Sequence, residues 1–355
     1  MKHLFLLLSL CCLMLFFGGC GGDNTAQNSS PTQSSTQETK LLGKETATKH
    51  FKVGTTTAPD GHYVKGLLAM QQKLEELSGG TMTLDIYPNS ALGGESDMMD
   101  AVANGTQDMV LTSTGPIPSF AKATANWSTL DLPYLFKNRA EAYKVLDSDI
   151  GKHLLAEFDG TGIKALGFWE NGFREVSNDK KDIKVPEDLK GMKIRTMENE
   201  VHMATYRQFG ATPVAMAWGE IFSALQQGTV DGEENPLAII LTAKVYEVQH
   251  HISMIDLFYS PCVLMVNENT NENTYDGLTA EQKQWFDESA TYAKTEQRKI
   301  SQEIATNARK ELEAKGVIFT DVDKALWEKA AEPVYMDDAL PIDKELLTQI
   351  QAMIK

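Results

Sequence analysis

Positive charge is in short supply in this chain. Its 355 residues carry 33 lysines and arginines against 49 aspartates and glutamates, which gives a formal net charge of −16 at pH 7. A protein that binds nucleic acid needs a basic surface to neutralise the phosphate backbone. The composition therefore argues against a nucleic-acid partner. A small anion stays possible, because a buried pocket responds to its nearest arginines and dipoles rather than to the charge of the whole molecule.

Cysteine is scarce as well, with four residues in the chain. Cys11 and Cys12 lie inside an N-terminal apolar run, and Cys20 follows the small residues of "FFGGC". If Cys20 is acylated, Cys262 is the other cysteine of the mature chain. A disulfide is then not expected, even though an exported compartment would permit one.

The motifs of several enzyme classes are missing. The sequence contains no Walker loop, no G-x-G-x-x-G and no G-x-S-x-G. His250 and His251 are adjacent and lack an H-E-x-x-H pattern or a second cysteine pair, so zinc is not expected. We predict neither a metal nor a cofactor.

A cluster of carboxylates raises the question of acid–base catalysis. The stretch "ALQQGTVDGEENP", Ala224–Pro236, contains Asp231, Glu233 and Glu234. Hydrolysis of a glycoside needs two carboxyls that face one bond about 5–9.5 Å apart, whereas neighbouring side chains diverge on any regular element. We therefore expect these carboxylates to be structural or solvated, in a turn that follows a short helix.

The N-terminus has the features of an export signal. Lys2 and His3 precede the apolar run Leu4–Phe17, which is too short to span a bilayer but has the length of a secretory signal. Residues 1–19 are predicted to be a signal peptide. "FFGGC" resembles the lipobox of bacterial lipoproteins, with Phe17 in place of the usual aliphatic residue, and this resemblance implies lipidation of Cys20. Ordinary cleavage nearby is the alternative.

Residues 20–49 are almost free of apolar side chains. The segment is rich in Gly, Ser, Thr and Gln and cannot bury enough surface to fold, so we predict a disordered tether. No later stretch is long and apolar enough for a transmembrane helix. Lipid would then be the anchor of an exported protein that faces the periplasm or the outer cell surface.

From about His50 onward, strand-like and helix-like segments alternate. "HFKVGTTT" has the period of a strand, and "HYVKGLLAMQQKLEELSGG" has the period of an amphipathic helix that ends on two glycines. Further strand-like segments are "DMVLTS", "GIKALGFW", "MKIRT", "CVLMVN" and "VIFTD". The alternation predicts an α/β protein with largely parallel sheets, which bind ligands at the carboxyl ends of their strands.

One predicted helix is unusually long. From Thr279 to about Lys315 the chain has neither proline nor glycine, and it opens with a capping box of Thr279 and Gln282. Such a helix is either a coiled coil or a strut that crosses more than one domain. The apolar positions do not keep a strict heptad, which favours the strut.

The central region resembles one family over most of residues 50–355. The similar segments are "NGFREVSN" (171–178), "VPEDLKGMKIRTMENE" (185–200), "FGATPVAMAWGEIFSALQQGTVDGEENPLA" (209–238) and "KVYEVQHHISM" (244–254). They resemble the solute-binding proteins of TRAP transporters, the tripartite ATP-independent systems for organic acids. The most specific parts are D-L-K-G-x-K-I-R, A-L-Q-Q-G-x-V-D-G-x-E-N-P and Y-E-V-Q in that spacing.

The resemblance implies a two-domain, periplasmic-binding-protein-like fold of the class II type, with crossing strands and a long domain-spanning helix. We expect domain I to comprise 50–171 plus 261–300 and domain II 172–260 plus 301–355, with the helix at about 279–315 in both. The implied function is capture of a small organic acid and its delivery to the membrane permease subunits of the transporter.

The family's binding residues transfer to matching positions. Arg195 ends D-L-K-G-x-K-I-R, where the family has an arginine that holds the substrate carboxylate by two parallel bonds, as guanidinium chemistry favours. Arg174 matches a second arginine of the site. Asn235 matches an asparagine that bonds the ligand, and Trp218 matches an aromatic residue that lines the pocket.

Departures from the family pattern limit what can be said of the substrate. The histidine common after the Y-E-V-Q segment is missing, with Asp256 nearby. Ser113 stands where sialic-acid-binding members carry a glutamate, which argues against sialic acid. Ser113 and Thr56 are expected at the distal end of the ligand, where C4-dicarboxylates, hydroxy acids and sugar acids remain open. An enzyme on the same scaffold, or an adhesin or signalling lipoprotein, is the alternative.

Overall fold

Strands and helices alternate along the folded chain. The structure, a computed structural model, describes residues 40–269 and 274–355. In these residues the strands are β1 (Lys49–Gly54), β2 (Met82–Tyr87), β3 (Met109–Ser113), β4 (Ile163–Phe173), β5 (Glu175–Asn178), β6 (Lys193–Thr196), β7 (Thr212–Ala215), β8 (Gly232–Asn235), β9 (His251–Met254), β10 (Tyr259–Asn267) and β11 (Ile318–Asp321).

The helices cover the faces of the sheets. They are α1 (His62–Leu77), α2 (Glu95–Ala103), α3 (Ile117–Phe120), α4 (Arg139–Leu146), α5 (Asp149–Ala156), α6 (Glu200–Gln208), α7 (Ile221–Gln226), α8 (Leu237–Thr242), α9 (Ala280–Ala314), α10 (Lys324–Ala331) and α11 (Lys344–Ile354). Short 3₁₀ helices lie at Lys122–Asp131, Pro186–Leu189, Trp218–Glu220, Val245–Glu247 and Glu332–Met336.

Two sheets define two lobes. The first sheet has the strand order β2-β1-β3-β10-β4, and the second has the order β11-β9-β5-β8-β6-β7. Strand β1 is parallel to β2 and β3, and β6 is parallel to β7 and β8. Strand β10 is antiparallel to β3 and β4, and β5 is antiparallel to β8 and β9. The sheets are therefore mixed, and less parallel than the sequence pattern predicts.

The antiparallel strands are the ones that enter from the other lobe. Strand β4 leaves the first sheet at Phe173 and continues as β5 in the second, while β9 leaves the second sheet and returns as β10 in the first. A strand that arrives at the edge where its neighbours end must run against them. The two crossings bond to each other, since Arg174 N donates to Phe258 O at 3.0 Å and Leu257 N donates to Arg174 O at 3.1 Å.

Helix α9 connects the lobes a third time. Its first half contributes Phe286 and Ala293 to the core beneath α1, and its last turns contribute Ala308 and Leu312 to a core of the second lobe. The predicted capping box is present, because Gln282 N donates to the Thr279 hydroxyl at 3.2 Å and Thr279 N donates to Gln282 Oε1 at 3.0 Å. The interpretation of this helix as a strut is confirmed.

Two predicted boundaries differ from the structure. The folded part starts before residue 50, because Leu41 pairs with Ile86 of β2 and β1 already begins at Lys49. The C-terminal helix α11 was assigned to the second domain with 301–355, but its Leu346, Leu347 and Ile350 pack in the core cluster of the first lobe that includes α4 and α5. An amphipathic helix packs on whichever apolar surface its linker lets it reach, and the local sequence does not specify which one.

Cys20 and the signal peptide lie outside the described residues, as does most of the predicted tether. Cys262 lies in β10, buried and unpaired with another cysteine. Nowhere in 40–269 or 274–355 does a helix combine the length and apolarity that crossing a membrane requires.

Candidate functional site

The carboxyl ends of the central strands meet where the two lobes face each other. Thr56 follows β1, Ser113 ends β3, and Arg195 is the penultimate residue of β6. Parallel strands place their carboxyl ends at one edge of a sheet, and open α/β folds bind ligands there. The predicted location of the site at strand ends therefore agrees with the geometry.

All six residues predicted as ligand contacts line one small cavity between the lobes, of about 30 Å³. Its wall from the first lobe contains Thr56 and Ser113, and the wall from the second contains Arg195, Trp218 and Asn235, with Arg174 at the crossing. The cavity is lined by Thr56, Thr57, Tyr63, Glu95, Ser113, Asn171, Arg174, Arg195, Met197, Trp218, Asn235 and Ile239. The lobes are thus nearly closed upon it.

Arg195 is a buried cation without a carboxylate partner. Its side chain is 2% exposed, and within the described residues no carboxylate forms an ion pair with it. Its Nε and Nη2 both donate to the Met216 carbonyl, at 2.9 and 2.7 Å. Burial lowers the pKa of Arg195 to about 10, so the group stays charged at neutral pH. The outer edge of the guanidinium, Nη1 with the second proton of Nη2, is left for a ligand.

Arg174 is engaged differently. It donates from Nε to the Glu234 carboxylate and from Nη2 to the Glu234 carbonyl at 2.7 Å, while its buried Nη1 has no partner. Burial would raise the pKa of Glu234, but the Arg174 and His202 charges hold it at about 2. Arg174 is therefore first a member of a buried ion pair, with one free donor at the cavity.

His202 extends this buried network. Its ring stacks on Phe258 with centroids 3.9 Å apart, and its nitrogens lie 3.5 Å from Glu234 Oε1 and 3.7 Å from Asp131 Oδ1. Burial alone would lower the pKa of His202, but the two carboxylates raise it. Asn199 joins the same cluster, donating to Asp131 at 2.7 Å and to the Gly115 carbonyl of the first lobe at 2.9 Å.

The acidic stretch forms a buried strand rather than the predicted turn. Residues Gly232–Asn235 are β8, and Glu233 and Glu234 are fully buried rather than solvated. Because side chains alternate along a strand, Glu233 and Asn235 share one face and Glu234 points the other way. Asn235 Nδ2 donates to Glu233, and Ser177 Oγ donates to Glu233 Oε1 at 3.1 Å. Both glutamates are therefore bonded to other residues of the protein.

Trp218 covers the cation from the side. The Arg195 guanidinium lies 5.8 Å from the centroid of the Trp218 ring, within the range of a cation–π contact. Trp218 opens a 3₁₀ helix directly after the Met216 carbonyl that holds Arg195. The segment 216–218 therefore fixes both the orientation and the apolar cover of the guanidinium.

Glu95 is a lining residue that the sequence patterns did not reveal. It begins α2, and its carboxylate accepts bonds from Ser113 N at 2.7 Å and from Ser113 Oγ at 2.8 Å. The contact joins residues far apart in sequence, so no local pattern announces it. Asn171 and Met197 lie in the similar segments 171–178 and 185–200, but nothing in those segments singles them out; the buried Oδ1 of Asn171 has no partner. The one signal in the sequence was an acidic residue in the glycine-rich turn "LGGES".

A larger groove elsewhere on the protein lacks, among its described residues, the buried, unpaired donors of the small cavity. It measures about 720 Å³ and runs between α4, the crossing strands and α9. Two of its charged residues are already used within the protein: Arg139 pairs with Glu170 at 2.9 Å, and Asp256 pairs with Lys324. Buried, unpaired donors meet in the small cavity, which is why we place the site there. Among the residues that the structure covers, no cluster of His, Cys, Asp and Glu could hold a metal ion.

Comparison with known proteins places the chain in a family. Residues 53–339 match the family described as bacterial extracellular solute-binding protein, family 7. A solute-binding protein of Verminephrobacter eiseniae is 40% identical over 304 residues, which cover 85% of this chain and 88% of that protein.

Solved structures are similar along nearly their whole length. A TRAP periplasmic solute-binding protein from Polaromonas sp. JS666, bound to D-erythronate, has a TM-score of 0.81 and 38% identity, and the match covers 86% of this chain and 98% of that one. The sugar acid binding protein of Advenella mimigardefordensis, in complex with galactonate, has a TM-score of 0.82 and 30% identity, covering 87% and 98%. These relatives bind solutes, so the enzyme alternative finds no support in them. The chain belongs to family 7 of the bacterial extracellular solute-binding proteins and is a periplasmic solute-binding protein of the TRAP type.

Proposed function

We propose that this protein captures a small hydroxylated carboxylic acid, a hydroxy acid or sugar acid, and delivers it to TRAP permease subunits. The observation that carries the proposal is Arg195, a buried cation in the cavity that forms no ion pair within the described residues. Leaving a charge buried and unpaired costs several kcal/mol, whereas a bound carboxylate would supply both the opposite charge and two acceptors.

The carboxylate of the ligand is proposed to lie between Arg195 and Arg174. The outer edge of the Arg195 guanidinium offers two parallel N–H bonds, and the buried Nη1 of Arg174 offers another. Asn235 and Trp218 would complete this end of the site, with the amide as a polar contact and the indole as an apolar wall. The arrangement supports a ligand that enters with its acidic group toward the second lobe.

The first-lobe wall favours hydroxyl groups over a second carboxylate. Glu95 already accepts two bonds from Ser113, and an ionised carboxylate has about four acceptor positions, so it can take further donors. Ligand hydroxyls are such donors, whereas the second carboxylate of a C4-dicarboxylate would meet a like charge. Thr56 and Thr57 add hydroxyls to this wall. The Polaromonas and Advenella proteins, whose structures contain D-erythronate and galactonate, fit the same preference.

The test is a thermal-shift screen followed by calorimetric titration. D-erythronate, galactonate and succinate serve as probes, because a ligand that binds the native state raises the melting temperature by mass action. The proposal expects a clear shift with at least one hydroxylated acid and a smaller one with succinate. Preference for succinate would refute the role given to Glu95, and no shift with any organic acid of a broader panel would refute the proposed function.

Membrane attachment through Cys20 is the second part of the proposal. Its support is the sequence "FFGGC" after an apolar signal, followed by the Ser/Thr/Gln-rich segment. Cys20→Ser should move the protein from the membrane fraction to the soluble extracytoplasmic fraction of expressing cells, with Cys262→Ser as the matched control. Continued retention of the Cys20→Ser protein in membranes would contradict lipidation.

A further inference from the structure

We infer that Met197 determines the length of the acid that the site accepts, an inference that rests on the function proposed above. Met197 lies two residues after Arg195, and its side chain crosses from the second lobe to the first. Its Sδ lies 3.3 Å from the Ser113 hydroxyl, and the side chain is buried. A ligand held by Arg195 must therefore pass beside this methionine.

The opposite wall is shaped to receive Met197. A methyl group placed on Gly115 would lie 2.5 Å from Met197 Cε and 2.8 Å from Sδ, so the end of the methionine would have to shift to admit it. The backbone of Gly115 is not in the left-handed region, so its conformation does not require glycine. Room for the methionine explains the absence of a side chain at this position.

Met197 separates two cavities. One is the ligand cavity of about 30 Å³, and the other, of about 70 Å³, lies between the α2 N-terminus and the segment 216–218. Glu95, Arg195 and Trp218 also border both spaces. The cavity wall is therefore shared by four side chains, of which Met197 is one.

Of these four side chains, Met197 is the least constrained, because its sulfur is only a weak acceptor beside the Ser113 hydroxyl. Glu95 is held by two bonds from Ser113, and Arg195 is held by two bonds to the Met216 carbonyl. Trp218 is large and lies against the guanidinium. Methionine is unbranched, has three rotatable bonds and adapts to irregular gaps. Neither cavity alone has room for an organic acid, so a ligand has to displace Met197, and a longer acid has to displace it further than a short one.

The predicted consequence is a preference for short acids. One additional methylene in a closed pocket commonly changes affinity by about 10- to 200-fold, so a barrier formed by one side chain can discriminate between chain lengths. Removing the side chain beyond Cβ would join the two cavities. The wild-type protein should then bind D-erythronate, a four-carbon acid, more tightly than galactonate, a six-carbon acid.

Titration calorimetry of Met197→Ala with these two probes tests the inference. We expect the ratio of the galactonate and erythronate dissociation constants to shift toward galactonate by about tenfold or more. Met203→Ala on α6 is the matched control, because Met203 does not line either cavity, and should leave the ratio unchanged.

The outcomes separate this inference from the function on which it rests. Wild-type binding of erythronate together with an unchanged ratio in Met197→Ala would overturn the role of Met197 and leave the proposed function intact. Wild-type preference for galactonate would likewise overturn it. Absence of binding of any organic acid to wild type would remove both. If Met197→Ala does not fold, Met197→Val is the substitute, because it shortens the side chain less. Its ratio of galactonate and erythronate dissociation constants should then shift in the same direction by a smaller factor.

Discussion

The substitution Glu234→Gln should destabilise the protein although it preserves shape. Glu234 is fully buried, and its carboxylate accepts a bond from Arg174 Nε. With glutamine the hydrogen bond can persist, but Arg174 loses the charge that compensates its own burial. Removing one partner of a buried ion pair commonly costs about 3–5 kcal/mol.

The pKa of Glu234 is shifted in the direction that this pairing requires. Burial opposes ionisation, but Arg174 and His202 hold the pKa at about 2 rather than 4.5. At 1.36 kcal/mol for each pKa unit, the difference corresponds to roughly 3 kcal/mol in favour of the ionised form in the folded state. For a chain of this size such a loss lowers the melting temperature by about 5–10 °C.

The adjacent residue provides the control. Burial raises the pKa of Glu233 to about 7, so the folded protein disfavours its charge. Glu233→Gln removes that charge, and the Ser177 hydroxyl that donates to Glu233 can accept a bond from the new amide. Thermal and urea unfolding at neutral pH should therefore show a clear loss for Glu234→Gln and no loss, or a gain, for Glu233→Gln. Equal losses in both variants would refute the assignment of the Arg174 partner.

Two further predictions concern binding. Arg195→Lys should weaken the acid identified in the screen by about 10- to 150-fold in titration calorimetry, because a lysine keeps the charge but cannot offer parallel bonds to a carboxylate; affinity equal to wild type would remove Arg195 from the ligand. Ligand should also compact the protein by hinge closure, since preferential binding to the closed state drives closure; an unchanged radius of gyration in small-angle scattering would argue against a hinge.

Local chemistry made much of the fold predictable. The start of α9 is specified by the capping box at Thr279, and its length by the absence of glycine and proline over the following turns. Both signals come from residues that are close in sequence, so they can be read without knowing the fold. Period-two segments gave most of the strands. The strand order and the antiparallel direction of β5 and β10 were not predictable, because they depend on which sheet a strand joins after it crosses, and no local pattern encodes that choice.

The residues of the candidate site likewise fall into two groups, those predictable from local sequence and those that depend on long-range contacts. Arg195, Asn235 and Trp218 belong to contiguous motifs and were found from them. Glu95 and Met197 act through contacts between distant segments, Glu95 with Ser113 and Met197 across the cleft; Glu95 lies outside the similar segments, and the segment 185–200 that contains Met197 does not reveal its contact with Ser113. The ion pair between Arg174 and Glu234 could not be predicted from the sequence either. It depends on the pairing of β5 with β8 and on which face of β8 Glu234 occupies.

The buried carboxyl groups of Glu233 and Glu234 should make the stability of the protein depend on pH. Between pH 4.5 and 7 the folded protein keeps a proton on Glu233 that the unfolded chain has released, because burial raises its pKa from 4.5 to about 7. The free energy of unfolding should fall over this window by up to about 3 kcal/mol. Glu234 has the opposite sign: its contribution is complete above pH 4.5 and is lost as the pH falls toward 2.

His202 continues the decline at higher pH. The carboxylates of Asp131 and Glu234 raise its pKa above 6.5 despite burial, so its contribution is complete below 6.5 and is lost as the pH rises through the folded value. Melting temperatures measured in steps from about pH 5 to 8 should therefore decrease for wild type, and Glu233→Gln should flatten the curve up to neutrality while leaving the later fall. A Glu233→Gln curve that runs parallel to wild type would mean that Glu233 is ionised in the folded protein well below pH 7, and the buried site would then carry a full negative charge beside Arg195.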